Sequence, residues 1–179
     1  GDAKLYIEGV RKSFPRNNTD DLGFWVRAKA EMFAENYVEA NKYFRLSSDN
    51  EFASDRVYSY LQTGDIEQAK VLKDKGWSFI KSQLDAEVKY GFSSQMYQPL
   101  EIKLMEITNL EGDIDQAIAH LKKAMEENYI INIEYKIHPM YKLLREHSDW
   151  LSILAESDRR AKSQRDMYLK LIDDGNSTL

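Results

Sequence analysis

Gly64-Asp65-Ile66-Glu67-Gln68-Ala69 returns 48 residues later as Gly112-Asp113-Ile114-Asp115-Gln116-Ala117. Each copy reads as a corner between two helices. A glycine just past a helix end takes the left-handed conformation that closes the last turn without a Cβ penalty. The aspartate after it offers a carboxylate to the exposed amides of the next helix, and a glutamine three residues on can complete a capping box. The isoleucine is expected to enter the interface between the two helices. The alanine falls where the helices approach closely. Helices joined by so short a turn form an antiparallel hairpin, and the hairpin is the unit that repeats.

A degenerate third copy is Glu35-Asn36-Tyr37-Val38-Glu39-Ala40, followed by Tyr43 and Phe44. It keeps the aromatic and the alanine in register but has Glu35 where the others have glycine. Before it, Ala3, Ile7 and Val10 with Pro15 after them fit the second helix of an earlier hairpin. The expected pairs are residues 21–34 with 37–47, 50–63 with 66–82, and 98–111 with 114–127. Leu72, Gly76, Ile80, Leu84 and Val88 fall at four-residue steps, so the helix from 66 is expected to run on toward Tyr90. Ser48 with Glu51 reads as another capping box, and Pro99 as a first-turn proline. The corner spacing exceeds the roughly 34 residues of a standard helical repeat. The excess lies between Lys81 and Gln98, read as a lengthened helix plus a loop at Gly91-Phe92-Ser93-Ser94.

The last third differs. Tyr129 to Lys136 is rich in Ile and Tyr, as a strand would be, but a lone strand has no partner. An extended or helical connector is expected there. Pro139 opens a short helix ending near His147. Ser148-Asp149 opens the final one, with Trp150, Leu151, Leu154 and Met167 or Tyr168 on its apolar side. Asp173 to Leu179 is expected to fray. The whole chain is expected to be one all-α domain. Residues 1–20 form a partial leading hairpin, 21–128 the helical hairpins, and 129–175 the connector and C-terminal cap.

Composition points the same way. Of 179 residues, 42% are hydrophobic and only 8 are Gly and 3 Pro, too few breakers for a strand-rich chain. The net charge is −5. The densest basic stretch, Arg159-Arg160-Ala161-Lys162, follows Glu156 and Asp158 and reads as a solvated helix face. Without a clustered basic face, direct nucleic-acid binding by this chain is not expected. There is no cysteine, which excludes disulfides and thiolate metal sites but leaves the compartment open. No apolar run approaches the ~20 residues of a membrane span. No signal peptide is legible, and the chain opens on Gly1-Asp2 without a Met. A fragment of a larger protein is the expectation.

The Gly-Asp-aliphatic-x-x-Ala corner resembles tetratricopeptide (TPR) repeats over roughly residues 22–128. Ala69 and Ala117 match the small residue of the family's second helix, and Leu121 and Ala124 match its later large and small positions. Val57 and Met105 replace the small residue usual in the first helix. The stretch from Ile137-His138-Pro139 through Leu143-Leu144-Arg145 to Asp149-Trp150-Leu151 resembles endings that close the TPR regions of bacterial signalling proteins. Nucleotide cyclases and winged-helix transcriptional activators are examples. In that pattern an acidic residue often precedes the proline, and here it is His138. The resemblance implies a short right-handed superhelix with a capping hairpin, and a bacterial regulatory parent. It slightly favours the cytoplasm, with a periplasmic sensor as the other placement.

Catalytic readings find little. His120, His138 and His147 form no His-x-x-x-His or Glu-x-x-His ligand pair. His120 reads as a helix-surface residue, and His147 as a partner of a helix C-terminus rather than a pH sensor. Asp20-Asp21, Asp113/Asp115 and Asp173-Asp174 lie at caps, corners or the tail, where capping explains them. Asn17-Asn18-Thr19 and Asn176-Ser177-Thr178 match the glycosylation triplet by chance. No enzyme activity, metal or cofactor is expected. What remains is a surface. In stacked hairpins of this family the first helices line a concave groove. Here it would display Trp25 and Lys29, then Ser54, Tyr58 and Gln62, then Ile102, Glu106 and Asn109. Aromatics flanked by polar groups suit peptide binding. Inter-repeat packing explains Trp25 and Tyr58 equally. The Lys/Asn pair with which some TPR domains clamp a C-terminal carboxylate is replaced by Trp25 and Lys29. The implied partner is a protein or peptide, or a second copy of the chain. A small-molecule pocket enclosed by residues 81–98 and the tail is the first alternative, and a helical enzyme, which would need a buried polar cluster that the sequence does not advertise, is the second.

Overall fold

The computed structural model describes residues 2–13, 20–47, 53–87, 90–92 and 97–176. The chain is all-α. Its helices are α1 (Asp2–Ser13), α2 (Asp21–Phe33), α3 (Tyr37–Leu46), α4 (Ser54–Gln62), α5 (Ile66–Asp85), α6 (Leu100–Glu111) and α7 (Ile114–Glu126). They continue with α8 (Ile133–Ile137), a 3-10 turn at Pro139–Tyr141, α9 (Lys142–Glu146) and α10 (Trp150–Asn176). Between α5 and α6, two three-residue strands pair antiparallel: β1 (Tyr90–Phe92) and β2 (Tyr97–Pro99). Residues expected to loop at Gly91 and Phe92 are therefore part of a small ribbon.

Three hairpins form where the sequence places them. Ala28 and Met32 cluster with Ala40 and Phe44 across α2 and α3. Val57 and Tyr60 cluster with Ala69 and Leu72 across α4 and α5. Ile102 and Met105 join Ala117, Leu121 and Ala124 across α6 and α7. The buried alanines let the helix axes approach, and the large residues fill the space between. Successive hairpins pack on one another through α3 on α4, α4 on α6 and α5 on α6, while α1 packs on α2.

The corners share one backbone device. Gly64 (φ 76°) and Gly112 (φ 82°) are left-handed. The amide of Asp65 donates to the Tyr60 carbonyl at 3.0 Å, and that of Asp113 to the Thr108 carbonyl at 3.1 Å, closing each helix end. The third corner has the same bond from Asn36 to Glu31 at 2.8 Å, with Glu35 held at φ 57° in the glycine's place. A non-glycine residue there costs about 1–2 kcal/mol. Glycine's extra freedom in the unfolded chain takes back about 0.5–1. Glu35→Gly should therefore raise stability by up to about 1 kcal/mol, and Gly64→Val should lower it by at least about 1, both read by urea denaturation. No atom lies within 4 Å of a Cβ built on Gly64, so strain in φ alone carries the second effect. An unchanged midpoint for Gly64→Val would contradict the corner.

Several local expectations are corrected. Asp113 caps α7 by accepting from the Gln116 amide at 3.1 Å, but Asp65 makes no side-chain cap. Its carboxylate turns instead to Arg45, 3.1 Å away. Ile114 packs on the core, whereas Ile66 is 56% exposed, because the C-terminal elements cover α7 and nothing comparable covers the start of α5 among the described residues. The buried stripe of α5 ends at Ile80, and Leu84 faces solvent. Pro99 is the N-cap of α6 rather than a first-turn residue. Helix α4 starts at Ser54, behind Ala53. The proposed Ser48–Glu51 box and Pro15 lie outside the described residues. In α10, Leu151 is 77% exposed and Ile153 takes its place in the core, since residues three and four beyond Trp150 share its face and the next residue does not. Asp173–Asn176 remain helical.

Candidate functional site

The first helices α2, α4 and α6 present the side chains expected to line the groove, and the chain's own tail lies across them. Leaving α7, residues 129–132 run extended. The Ile131 amide is held by Ser157 of α10 at 2.9 Å, and Asn132 caps α8 through the Glu134 amide at 2.8 Å. From there the tail touches each first helix in turn. Glu134 accepts from Lys29 of α2 at 2.9 Å. His138 stands 3.2 Å from Asp55 of α4. Asn109 of α6 donates to the Met140 carbonyl at 3.0 Å, and the Tyr141 hydroxyl approaches Glu106 at 3.5 Å.

His138 is the centre of this arrangement. Its ring is 1% exposed, edge-on to Phe33 at 4.8 Å and to Tyr58 at 6.3 Å, and tilted against Tyr141 at 5.4 Å. The Met140 amide donates to Nδ1 at 3.1 Å, which leaves the ring proton on Nε2, facing Asp55. The Nε2–Oδ1 line is bent away from good hydrogen-bond geometry, so the attraction is electrostatic more than directional. Arg145 of α9 donates to the carbonyls of Tyr135 and His138 at 3.2 and 2.7 Å, which fixes the tail's turn.

Asp55 carries the balancing charge. Burial alone would raise its carboxyl. The Lys29 ammonium at 3.4 Å and the His138 ring outweigh burial and hold it well below the usual carboxylate range. Burial also pushes the hydroxyls of Tyr135 and Tyr141 well up, and the nearby Glu106 adds to both. Tyr129 is raised to about 12, chiefly by burial. Tyr135 stacks on Tyr141 at 4.5 Å, and its hydroxyl accepts from Tyr129 at 3.2 Å. Asp55 therefore stays ionised and Tyr129, Tyr135 and Tyr141 stay protonated across the physiological range. The His138 ring is thus packed between Phe33, Tyr58 and Tyr141 and joins the tail to α4.

The eight expected groove residues divide accordingly. Ser54, Ile102, Glu106 and Asn109 are buried. Lys29 is occupied by Asp55 and Glu134. Tyr58 packs on Tyr37 and His138, and Trp25 is half-buried against Phe44 at 5.3 Å. Gln62 alone of the eight is exposed. The residues with the strongest interactions, Asp55, His138 and Glu134, carried no spacing signal, since 83 residues separate Asp55 from His138. The only hint was that His138 stands where the endings it resembles often have an acid.

Comparison of the chain with protein-family models, with curated proteins and with solved structures finds no match. The remaining histidines have structural partners: His120 faces Glu101 at 2.5 Å, and His147 faces Asp115 at 3.1 Å. Among the described residues no three His, Asp or Glu side chains gather as metal ligands, and no helix is long and apolar enough to cross a membrane. A cavity of about 480 Å³ opens between α3, α4 and α5, lined by Phe44, Arg45, Arg56, Tyr60, Asp65, Gln68 and Leu72. Its lining as described comes from α3, α4, the Gly64 corner and α5.

Among the described residues, the far end of α10 carries an apolar stretch without cover. The first part of α10 packs on the body through Trp150, Ile153 and Leu154. Farther along, Met167, Tyr168, Leu169, Leu171 and Ile172 are all exposed.

Proposed function

We propose that the chain is a non-catalytic module for binding a protein or peptide, part of a larger bacterial regulatory or signalling protein. In this reading its hairpins stack as a short right-handed TPR-like superhelix closed by a C-terminal cap. The Gly-Asp corners, the buried Ala69 and Ala117 and the stacking contacts support the architecture. The observation that carries the function is the uncovered apolar stretch at the far end of α10. Contiguous apolar patches of several hundred Å² on a small protein commonly mark interaction sites. The first-helix face contributes differently from the initial expectation. It holds the chain's own tail, through a charged pair, a backbone carbonyl and an aromatic pocket, as it would a peptide. Partners are then left to meet α10 and the outer surfaces.

Thermal-shift and calorimetric screening tests this reading, with one panel of amphipathic helical peptides and one of small metabolites. A binding peptide at about 100 times its Kd should add about 2.7 kcal/mol of stability. Stabilisation by metabolites alone would replace the module with a sensor.

A further inference from the structure

Helix α10 carries one face over its whole length. Trp150, Ile153, Leu154 and Ser157 turn that face to the body. At 3.6 residues per turn it continues through Ala161, Gln164, Tyr168, Leu171 and Ile172. By then the body has ended: Met167 is 61% exposed, Tyr168 63% and Leu171 64%. Resting on the interaction-module reading, we propose that this half of α10 pairs antiparallel with the same half of a second copy, forming a two-fold dimer about Tyr168.

Three observations favour a second copy. The apolar face is continuous with one that already packs inside the chain, so a helix laid along it extends an existing interface. Sterics choose the direction. Paired helices lie 8–10 Å apart, and each α10 has a whole domain at its Trp150 end. Parallel pairing would drive the two domains into each other, while antiparallel pairing sends them to opposite ends. The order of charge agrees. Arg159 and Arg160 are held by Glu156, leaving Lys162 and Arg165 exposed near the body, and the sequence beyond the apolar stretch reads Asp173-Asp174. Antiparallel pairing runs the basic part of one helix beside the acidic end of the other, and flanking charges of this kind set helix orientation. Tyr168, Leu171 and Ile172 with the flanking Met167 and Leu169 expose on the order of 500 Å² per chain, so a pair would bury at most roughly 1,000 Å², the size of a weak, reversible interface.

Sedimentation equilibrium on the full chain should show a monomer–dimer equilibrium in the micromolar range. Tyr168→Glu and Leu171→Glu should each weaken it at least tenfold. Both positions are exposed, so the melting temperature of the monomer should stay put. Because the chain has no cysteine, Tyr168→Cys should cross-link to a disulfide dimer under mild oxidation. Ser163→Cys, on the far side of the helix, should not. A wild type that stays monomeric at every concentration overturns the dimer and leaves the module to the peptide screen. Equal cross-linking at 163 and 168 overturns it too. So does a helical peptide from the screen whose binding is abolished by Tyr168→Glu while the chain stays monomeric, since that assigns the face to another partner.

Discussion

Asp55→Ala should cost the protein about 3 kcal/mol, the low end of what breaking a buried ion pair costs. The low end applies because Lys29 keeps Glu134 at 2.9 Å, so the ammonium loses one of two carboxylates rather than its only one. His138 loses its counter-group altogether, in a site without water access. Asp55→Asn keeps the shape and an acceptor and should cost less. Urea denaturation of the three proteins gives the comparison. A loss under about 1 kcal/mol for the alanine variant would mean that the tail is not anchored at α4. The pH dependence has a definite sign. The folded state holds the Asp55 carboxyl below its unfolded value, so the unfolded chain takes up the proton first as pH falls. The contribution is complete above about pH 4 and is lost as acid carries the pH down toward the folded value. Below about pH 4 wild type should lose stability more steeply than Asp55→Asn as the pH falls. Parallel curves would remove Asp55 from the account.

Leu144→Ala should cost about 3 kcal/mol, within the 2–5 typical of a buried leucine. Leu144 is fully buried and shares one cluster with Met105 of α6, Leu121 and Ala124 of α7, and Trp150 of α10. The cavity would open at the junction of tail and hairpins. For the same reason the tail should not come off separately. In a Trp25→Phe, Trp77→Phe background, unfolding followed by far-ultraviolet dichroism should coincide with unfolding followed by the fluorescence of Trp150. A tryptophan transition that runs ahead of the helix signal would show the tail to be a detachable flap. That would return Lys29, Tyr58 and Glu106 to the role of an open groove.

The contrast between corners and groove shows what a sequence can carry. Gly64, Gly112 and the degenerate Glu35 copy were legible because a corner is decided within six residues: a left-handed position, a cap and a small residue. The helix bounds follow from those corners to within a few residues. The groove was misread in a particular way. Ile102, Glu106 and Asn109 do fall on the first-helix face as expected, but nothing local announces that residues 134–141 return to cover it. One feature of the tail pointed the other way: a run of Ile and Tyr that imitates a strand.

By itself, then, the amino-acid order determined an all-α chain of helical hairpins, their corners and the alanines that let them close. These depend on neighbours one to four positions apart, where propensity, capping and periodicity act directly. Only the tertiary structure decided which surface is open. Lys29 meets Glu134 across 105 residues of chain, and Asp55 meets His138 only after three hairpins have stacked. Burial then makes His138 the centre of the tail's attachment and leaves Tyr168 and Leu171, on the helix that follows, standing in water. Whether an apolar face is covered depends on how far the body extends beneath it, and that distance is set by the packing of the whole molecule rather than by any stretch of its sequence.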